Sequence, residues 1–303
     1  GYALGMGRRD RHGVVGYCHG GNVVGFVAML CIFPHEQKAF AYSVNTDSET
    51  ADYGRLERLF IEALAIAEAP APPTVDPAPN LSGCHGRYVL SPKRFQMFEY
   101  LDTLFGATRI SPDGDSLILA SVLNDARSLR PVGDRLYSAR DRTTTSHVFF
   151  RGKEGEYLLS DGFQTLKKVP ASYLVAHWAS FLMGLSGLLW ILIAGTVSLV
   201  RLRSDLFRRP VAPAFVASVL LFVPVPFFLA QPFMALGDFT MASALLATVS
   251  LLLPIGMLFT ILKARKEWRA SRLNLLHAVA AAFVLQWTAV LVTANMLPFR
   301  LWG

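Results

Sequence analysis

The stretch VVGYCHGGNVVGFVAMLCIF, residues 14–33, decides how the first part of the chain is read. Strand-forming residues flank a glycine pair, which predicts two strands, Gly13–Gly20 and Val24–Phe33, parted by a turn at Gly20-Gly21-Asn22. The second strand is apolar at both parities: Val24, Phe26, Ala28 and Leu30 alternate with Val27, Met29, Cys31 and Phe33. Such a strand is expected to be covered on both faces. The two glycines directly after His19 raise a chemical question, because glycine weakens a strand and marks places where a ligand or another backbone comes close.

Working outward, Gly1–Gly7 and Gln37–Thr46 read as further strands, with turns at RRDRHG and PHEQ. A helix is expected from about Asp52 to Glu68, where Leu56, Leu59, Phe60, Ala63, Leu64 and Ala67 form one apolar face. Four strands and one helix do not cover a two-sided sheet. The sequence therefore predicts that chain upstream of Gly1 packs on the other face. The opening GYALGMGRRDRHG carries no signal segment, and the expectation is a fragment.

Residues 69–80, APAPPTVDPAPN, hold five prolines and read as a semi-rigid linker that decouples what lies on either side. Residues 81–170 read as a small antiparallel β-meander or barrel. Ser91-Pro92 opens a short helix with Phe95, Phe98, Leu101 and Phe105 on one face, ending at Gly106. Short strands then recur near 108–110, 116–121, 135–138, 147–151, 157–159 and 163–167. The aromatic residues of this segment read as core. Leu81-Ser82-Gly83-Cys84 is no lipoprotein processing site, because a proline-rich run and not an apolar one precedes it.

Residues 171–303 contain four apolar runs long enough to span a bilayer, at about 177–200, 211–233, 239–262 and 274–297. The charge divides with them. Residues 1–170 carry 19 Lys/Arg and 19 Asp/Glu, whereas residues 171–303 carry 10 and 3. The surplus lies in the apolar half, which speaks against nucleic acid as a partner and for loops between membrane helices. The connections run basic (RLRSDLFRRP), neutral (QPFMALGDFT) and basic (KARKEWRASR). By the positive-inside rule the first and third are cytoplasmic, and residues 1–170 are extracytoplasmic. Trp178, Trp268 and Trp302 sit near the expected interfaces, and Pro213, Pro224, Pro226 and Pro254 are expected to kink helices two and three.

GYALGMG followed by residues 14–64 resembles the end of the serine hydrolase family that includes class C β-lactamases, penicillin-binding D-Ala-D-Ala peptidases and related esterases. His19-Gly20-Gly21 matches the third motif of that family, Lys-Thr-Gly or its His-x-Gly variants, which lies on a strand at the active site. The resemblance implies acyl transfer on a peptide, ester or β-lactam, with no metal or organic cofactor. It assigns His19, Gly20 and Gly21 to substrate binding. It also assigns His19, Gly21 and the Asn22 amide to catalysis, the amide donating to the oxyanion of an acyl intermediate. Strand alternation agrees: His19 and Gly21 share a face, and Gly21 keeps that face low for a substrate strand.

Two motifs of the family are absent. No Ser-x-x-Lys occurs, since Ser91-Pro92-Lys93-Arg94 ends in Arg. No Tyr-x-Asn occurs either, since Tyr42-Ser43-Val44-Asn45 has one residue too many. The 303 residues alone are therefore expected to be inactive, because an oxyanion donor without a nucleophile leaves covalent catalysis undone. Three cysteines, Cys18, Cys31 and Cys84, allow at most one disulfide and no zinc site. Cys18 and His19 point to opposite strand faces and make no thiol dyad. His277, Gln286 and Asn295, in the fourth apolar run, read as hydrogen-bonding partners between helices.

The resulting expectation is an α+β fragment, with the antiparallel sheet and terminal helix of a β-lactamase-like fold, over residues 1–68. A small antiparallel β-meander or barrel and a four-helix transmembrane bundle follow. The function expected is that of a membrane-anchored extracytoplasmic serine hydrolase whose nucleophile lies upstream, with the bilayer and an acyl substrate as partners. The competing expectation is a non-catalytic membrane-anchored binding or scaffold protein with a degenerate hydrolase domain.

Overall fold

The structure, a computed structural model, describes residues 2–48, 50–70, 83–92, 98–122, 125–267 and 271–302. Most of the proline-rich linker, Phe95 of the expected helix face and Trp268 lie outside the described residues. The chain forms two compact units.

The first unit begins with a five-stranded antiparallel meander, β1 (Tyr2–Ala3), β2 (Met6–Arg9), β3 (Gly16–Val23), β4 (Phe26–Phe33) and β5 (Lys38–Val44), paired in that order. The expected first strand is a small hairpin, turning at Leu4-Gly5. The expected turn at Gly20-Gly21-Asn22 lies inside β3, and the chain reverses at Val24-Gly25, where Gly25 takes φ +83°. Residues equidistant from that turn pair, which sets Cys18 opposite Cys31. The two form a cross-strand disulfide with Cα atoms 4.1 Å apart.

Helix α1 (Tyr53–Ala63) covers one face of this sheet; it starts at Asp52, whose side chain accepts from the Arg55 amide. The face that packs holds Phe60, Ile61 and Leu64, against Phe33, Phe40 and Tyr42. Leu59, expected on this face, is exposed. The face turns because Glu57 is buried at its centre, paired with Arg9 and accepting from the Tyr42 hydroxyl at 3.5 Å. β4 is not covered on both sides. Cys31 and Phe33 are buried beneath α1, but Phe26 and Leu30 on the opposite face are 54% and 42% exposed.

The first unit continues with a closed eight-stranded up-and-down barrel. Its strands are β6 (Gly86–Leu90), β7 (Thr108–Asp113), β8 (Ser116–Ser121), β9 (Arg127–Gly133), β10 (Leu136–Ala139), β11 (His147–Arg151), β12 (Tyr157–Ser160) and β13 (Thr165–Val169). Closure by β13 against β6 removes the free edges that an open meander would leave. Its interior is filled by Tyr88, Ile110, Leu117, Leu129, Tyr137, Phe149 and Leu159. Tyr137 and Tyr88 meet Phe149 edge-on, with centroids 5.3 and 6.3 Å away.

Sheet and barrel are joined by polar contacts. Asp10, 4% exposed, follows β2. Its carboxylate accepts from Arg142 at 2.7 Å and from the Thr144 hydroxyl and amide at 2.8 and 3.3 Å, and its carbonyl accepts from the Thr143 amide at 3.1 Å. The sequence predicted two segments decoupled by a linker; within this unit they share a buried ion pair.

The second unit contains α2 (Glu99–Phe105) and the apolar helices. α2 lies between β6 and β7 in sequence, yet it clusters with the apolar helices. It buries Tyr100 and Leu104 against Leu291 and Leu297, and the Tyr100 hydroxyl donates to the His177 carbonyl at 3.1 Å. The sequence placed Phe98 on the packed face, but it is exposed.

Four stretches are long and apolar enough to cross a membrane: Ala171–Arg201, Ala212–Ala230, Met241–Lys266 and Arg272–Thr293. They correspond to α3 (Ala171–Leu202), the pair α4 (Ala212–Leu220) and α5 (Val225–Ala230), α6 (Met241–Glu267) and α7 (Arg272–Thr293). Pro224 and Pro226 break the second stretch in two, Pro213 falls in the first turn of α4, and Pro254 sits within a continuous α6. α3 and α7 approach closely, since a Cβ at Gly187 would overlap the Ala280 carbonyl.

Breaking a buried ion pair leaves an uncompensated charge, at a cost of about 3 kcal/mol or more. Arg142→Ala is therefore expected to lower the stability of the first unit by about that amount, read as a fall in the urea midpoint. The double variant Asp10→Ala/Arg142→Ala is expected to recover part of the loss. A double variant as unstable as the sum of the two single ones would show that the pair is not coupled.

Candidate functional site

The strand that carries His19-Gly20-Gly21-Asn22 is paired unevenly. β4 accompanies it from Tyr17 to Val23, but β2 pairs with it only from Gly16 to Cys18. Beyond Cys18 no described strand pairs with β3 on the β2 side. The small Cα separation at Cys18–Cys31 marks a non-hydrogen-bonded pair with β4. By alternation, the backbone N–H and C=O groups of Cys18, Gly20 and Asn22 point towards the β2 side. Gly20 and Asn22 thus present their peptide groups at an open half-edge.

The structure brings all four predicted site residues onto this exposed half-strand. His19 and Gly21 lie on the face away from α1, and the His19 Nδ1 is 2.5 Å from the Gly5 carbonyl oxygen. A Cβ at Gly21 would meet nothing within 4 Å, so that face is open. A Cβ at Gly20 would come within 3.0 Å of the Met29 methyl, on the α1 side. Cys18 is in a disulfide and has no thiol to pair with His19.

Next to His19 and Gly20 lies a cavity of about 320 Å³ whose walls include Arg8, Arg9, Arg11 and Arg142. No motif in the sequence marks these arginines as a site. Arg8, Arg9 and Arg11 are neighbours in the sequence, within a segment that is charge-balanced overall, and the sheet–barrel contact adds Arg142 to them. Burial lowers the Arg11 pKa, and the charges of Arg142 and Arg9 lower it further. Among the described residues no group of three or more His, Cys, Asp or Glu could hold a metal ion.

In the second unit, His277 accepts from the Trp190 indole at 3.2 Å, and Gln286 exchanges hydrogen bonds of 2.9 and 3.0 Å with Ser180. These tie α7 to α3. Asn295 sits just past α7 with φ +55°, and its amide donates to the Val292 carbonyl.

Two histidines of the first unit titrate below their ordinary value of 6.5. Burial lowers His147 most, with Arg142 and Arg127 adding to it and Asp161 opposing. Burial also leads at His12, with Arg58 adding and Glu57 opposing. A histidine with a depressed folded pKa binds its proton more readily in the unfolded chain. Its contribution to stability is present above pH 6.5 and is lost as pH falls below that value. The urea midpoint of the first unit is expected to drop on acidification through this window, and His147→Gln, which can keep a contact with Ser146, is expected to reduce the drop. An identical acid dependence in the variant would rule out this role for His147.

The chain matches no protein-family model, and no curated protein matches it. Among solved structures it is similar to one titled "Crystal structure of SurE with D-Leu", at 22% identity and a TM-score of 0.34, over 56% of this chain and 39% of that one. It is also similar to "Crystal structure of SurE", at 21% identity and a TM-score of 0.35, over 56% and 38%. The chain thus spans about two fifths of the length of the solved structures it matches.

Proposed function

We propose that β3 is the substrate-facing strand of a membrane-anchored, extracytoplasmic serine hydrolase related to class C β-lactamases and penicillin-binding peptidases, with the nucleophile, its base and the proton shuttle supplied by residues outside these 303. The observation that carries this reading is the open half-edge at Gly20–Val23 beside the exposed face of His19 and Gly21. An extended acyl substrate laid along it would add as a strand. The Asn22 N–H points to that edge and would donate to the developing oxyanion, a contact worth about 3–4 kcal/mol in the transition state. His19 would bind or polarise the same carbonyl from the open face. The acyl group would pass from a peptide, ester or β-lactam to the upstream serine oxygen and then to water or another acceptor.

The test uses the full native protein that contains these residues. A fluorophosphonate probe is expected to label one serine outside residues 1–303. His19→Ala is expected to slow that labelling about a hundredfold. Gly21→Val, which meets no neighbour in the fold, is expected to slow it through occupation of the substrate face. Unchanged rates in both variants would remove β3 from the active site, and a protein that no acylating probe labels would be the non-catalytic binding or scaffold protein instead.

The sidedness is part of the same proposal. Basic connections before α4 and before α7 support a cytoplasmic place for both, and the Cys18–Cys31 disulfide supports an oxidising compartment for the sheet. A cysteine introduced at Asp238 is expected to react with an impermeant reagent added to intact cells, and one at Lys266 to be spared. The reverse pattern would overturn the orientation.

A further inference from the structure

The cavity beside His19 does not end there. Arg8, Arg142 and Phe163 also line a second cavity of about 360 Å³, between sheet and barrel. Arg127, His147 and Asp161 are shared in turn by that cavity and a third, of about 210 Å³, at the end of the barrel. The shared walls make one groove, running from the open edge of β3 to the barrel.

The charges along it are unevenly satisfied. Arg142 is bound to Asp10, Arg9 to Glu57, and Arg11 lies 3.9 Å from Asp141. Arg8 and Arg127 make no salt bridge among the described residues, and Arg8 donates to the neutral Thr144 hydroxyl at 2.5 Å. Both line the middle cavity. The two aspartates there are already engaged. Asp10 accepts from Arg142 and Thr144, and Asp161 accepts from the Phe163 and Gln164 amides at 2.8 and 2.7 Å. Arginines that only join sheet to barrel would each face a carboxylate, as Arg9 and Arg142 do. Arg8 and Arg127 instead turn planar, multi-donor groups towards an open space, the geometry that suits carboxylate and phosphate oxygens. Asp125 stands at the barrel end of the groove, which disfavours an anion there and favours the middle cavity.

We propose that the groove between sheet and barrel binds a multiply charged oxyanion, carboxylate- or phosphate-bearing, held between Arg8 and Arg127, and that this anion is the charged end of the acyl substrate laid along β3. The second clause rests on the hydrolase reading; the first does not. A substrate reaching from Asn22 into the middle cavity would be selected by its charge as well as by its acyl bond.

The experiment is calorimetric titration of the whole 303-residue chain, held in a disc of zwitterionic lipid, with inorganic pyrophosphate in one arm and citrate in the other. Saturable binding that weakens with added salt is expected in at least one arm, and the tighter arm identifies the phosphate or the carboxylate source. Arg8→Gln and Arg127→Gln are each expected to weaken it about tenfold. The exposed Arg55→Gln on α1 is expected to leave it unchanged, and Arg8→Lys to lose less than Arg8→Gln. The unfolding midpoint is read on the same samples, and where a glutamine variant fails to fold, the lysine variant at that position decides. Absence of saturable binding to the folded chain in both arms, or binding that is the same in the Arg8 and Arg127 variants, would overturn the proposal. Nothing in the titration requires acylation. Anion binding with no probe-labelled serine would retain the site and reject the hydrolase, and the converse would do the opposite.

Discussion

The first unit depends on the carboxylate of Asp10. It is almost wholly buried, and a carboxylate in such a place is tolerated only when its oxygens are filled by donors. Arg142 supplies one charged donor, and Thr144 supplies two neutral ones, from its amide and its hydroxyl. All come from the loop between β10 and β11, so one side chain fixes the end of β2 against the barrel. Because β2 is in turn paired with the start of β3, the anchor also sets where β3 lies relative to the barrel wall. The groove beside His19 exists because these two elements are held at that spacing.

The residue before Asp10 does the matching work on the other side. Strand residues alternate in direction, and Arg9 turns to Glu57 on α1 while Asp10 turns to the barrel. Each buried acid is thus matched by an arginine from a different element. Glu57 explains why α1 buries Phe60, Ile61 and Leu64 and leaves Leu59 outside. A purely apolar reading of the helix picks the stripe with the most leucine, whereas the fold picks the one that brings Glu57 to Arg9.

What the sequence disclosed was local. The alternating strands, the run of short β-segments and the four apolar stretches each announce themselves within a window of ten to twenty-five residues, which is the range over which periodicity acts. The turn of the central hairpin was misplaced because Gly20-Gly21-Asn22 has turn composition, while the chain reverses at Val24-Gly25. That shift matters, since a hairpin pairs residues equidistant from its turn, and only the true turn sets Cys18 against Cys31. β9 escapes a periodicity reading because Arg127–Gly133 carries Pro131 and two arginines, and only Leu129 and Val132 are buried. That His19, Gly20, Gly21 and Asn22 adjoin a strand is legible in the sequence, whereas the half-edge that exposes them is not. It arises because the turn at Leu4-Gly5 starts β2 too late to accompany β3 past Cys18.

Charge shows the same limit more sharply. Nineteen basic and nineteen acidic groups over residues 1–170 suggest a surface without preference. Folding separates them. Asp10 and Arg142 are 132 residues apart, far beyond the reach of a sequence motif. Once that pair forms, Arg8 and Arg127 are carried to the walls of one cavity while no described acid pairs with either. A neutral composition therefore hides a cationic groove, whereas the basic composition of residues 171–303 reports mainly the ends of the apolar helices and their connections. Net charge describes how a chain behaves as a whole; where a ligand could bind depends on which charges the fold leaves uncompensated.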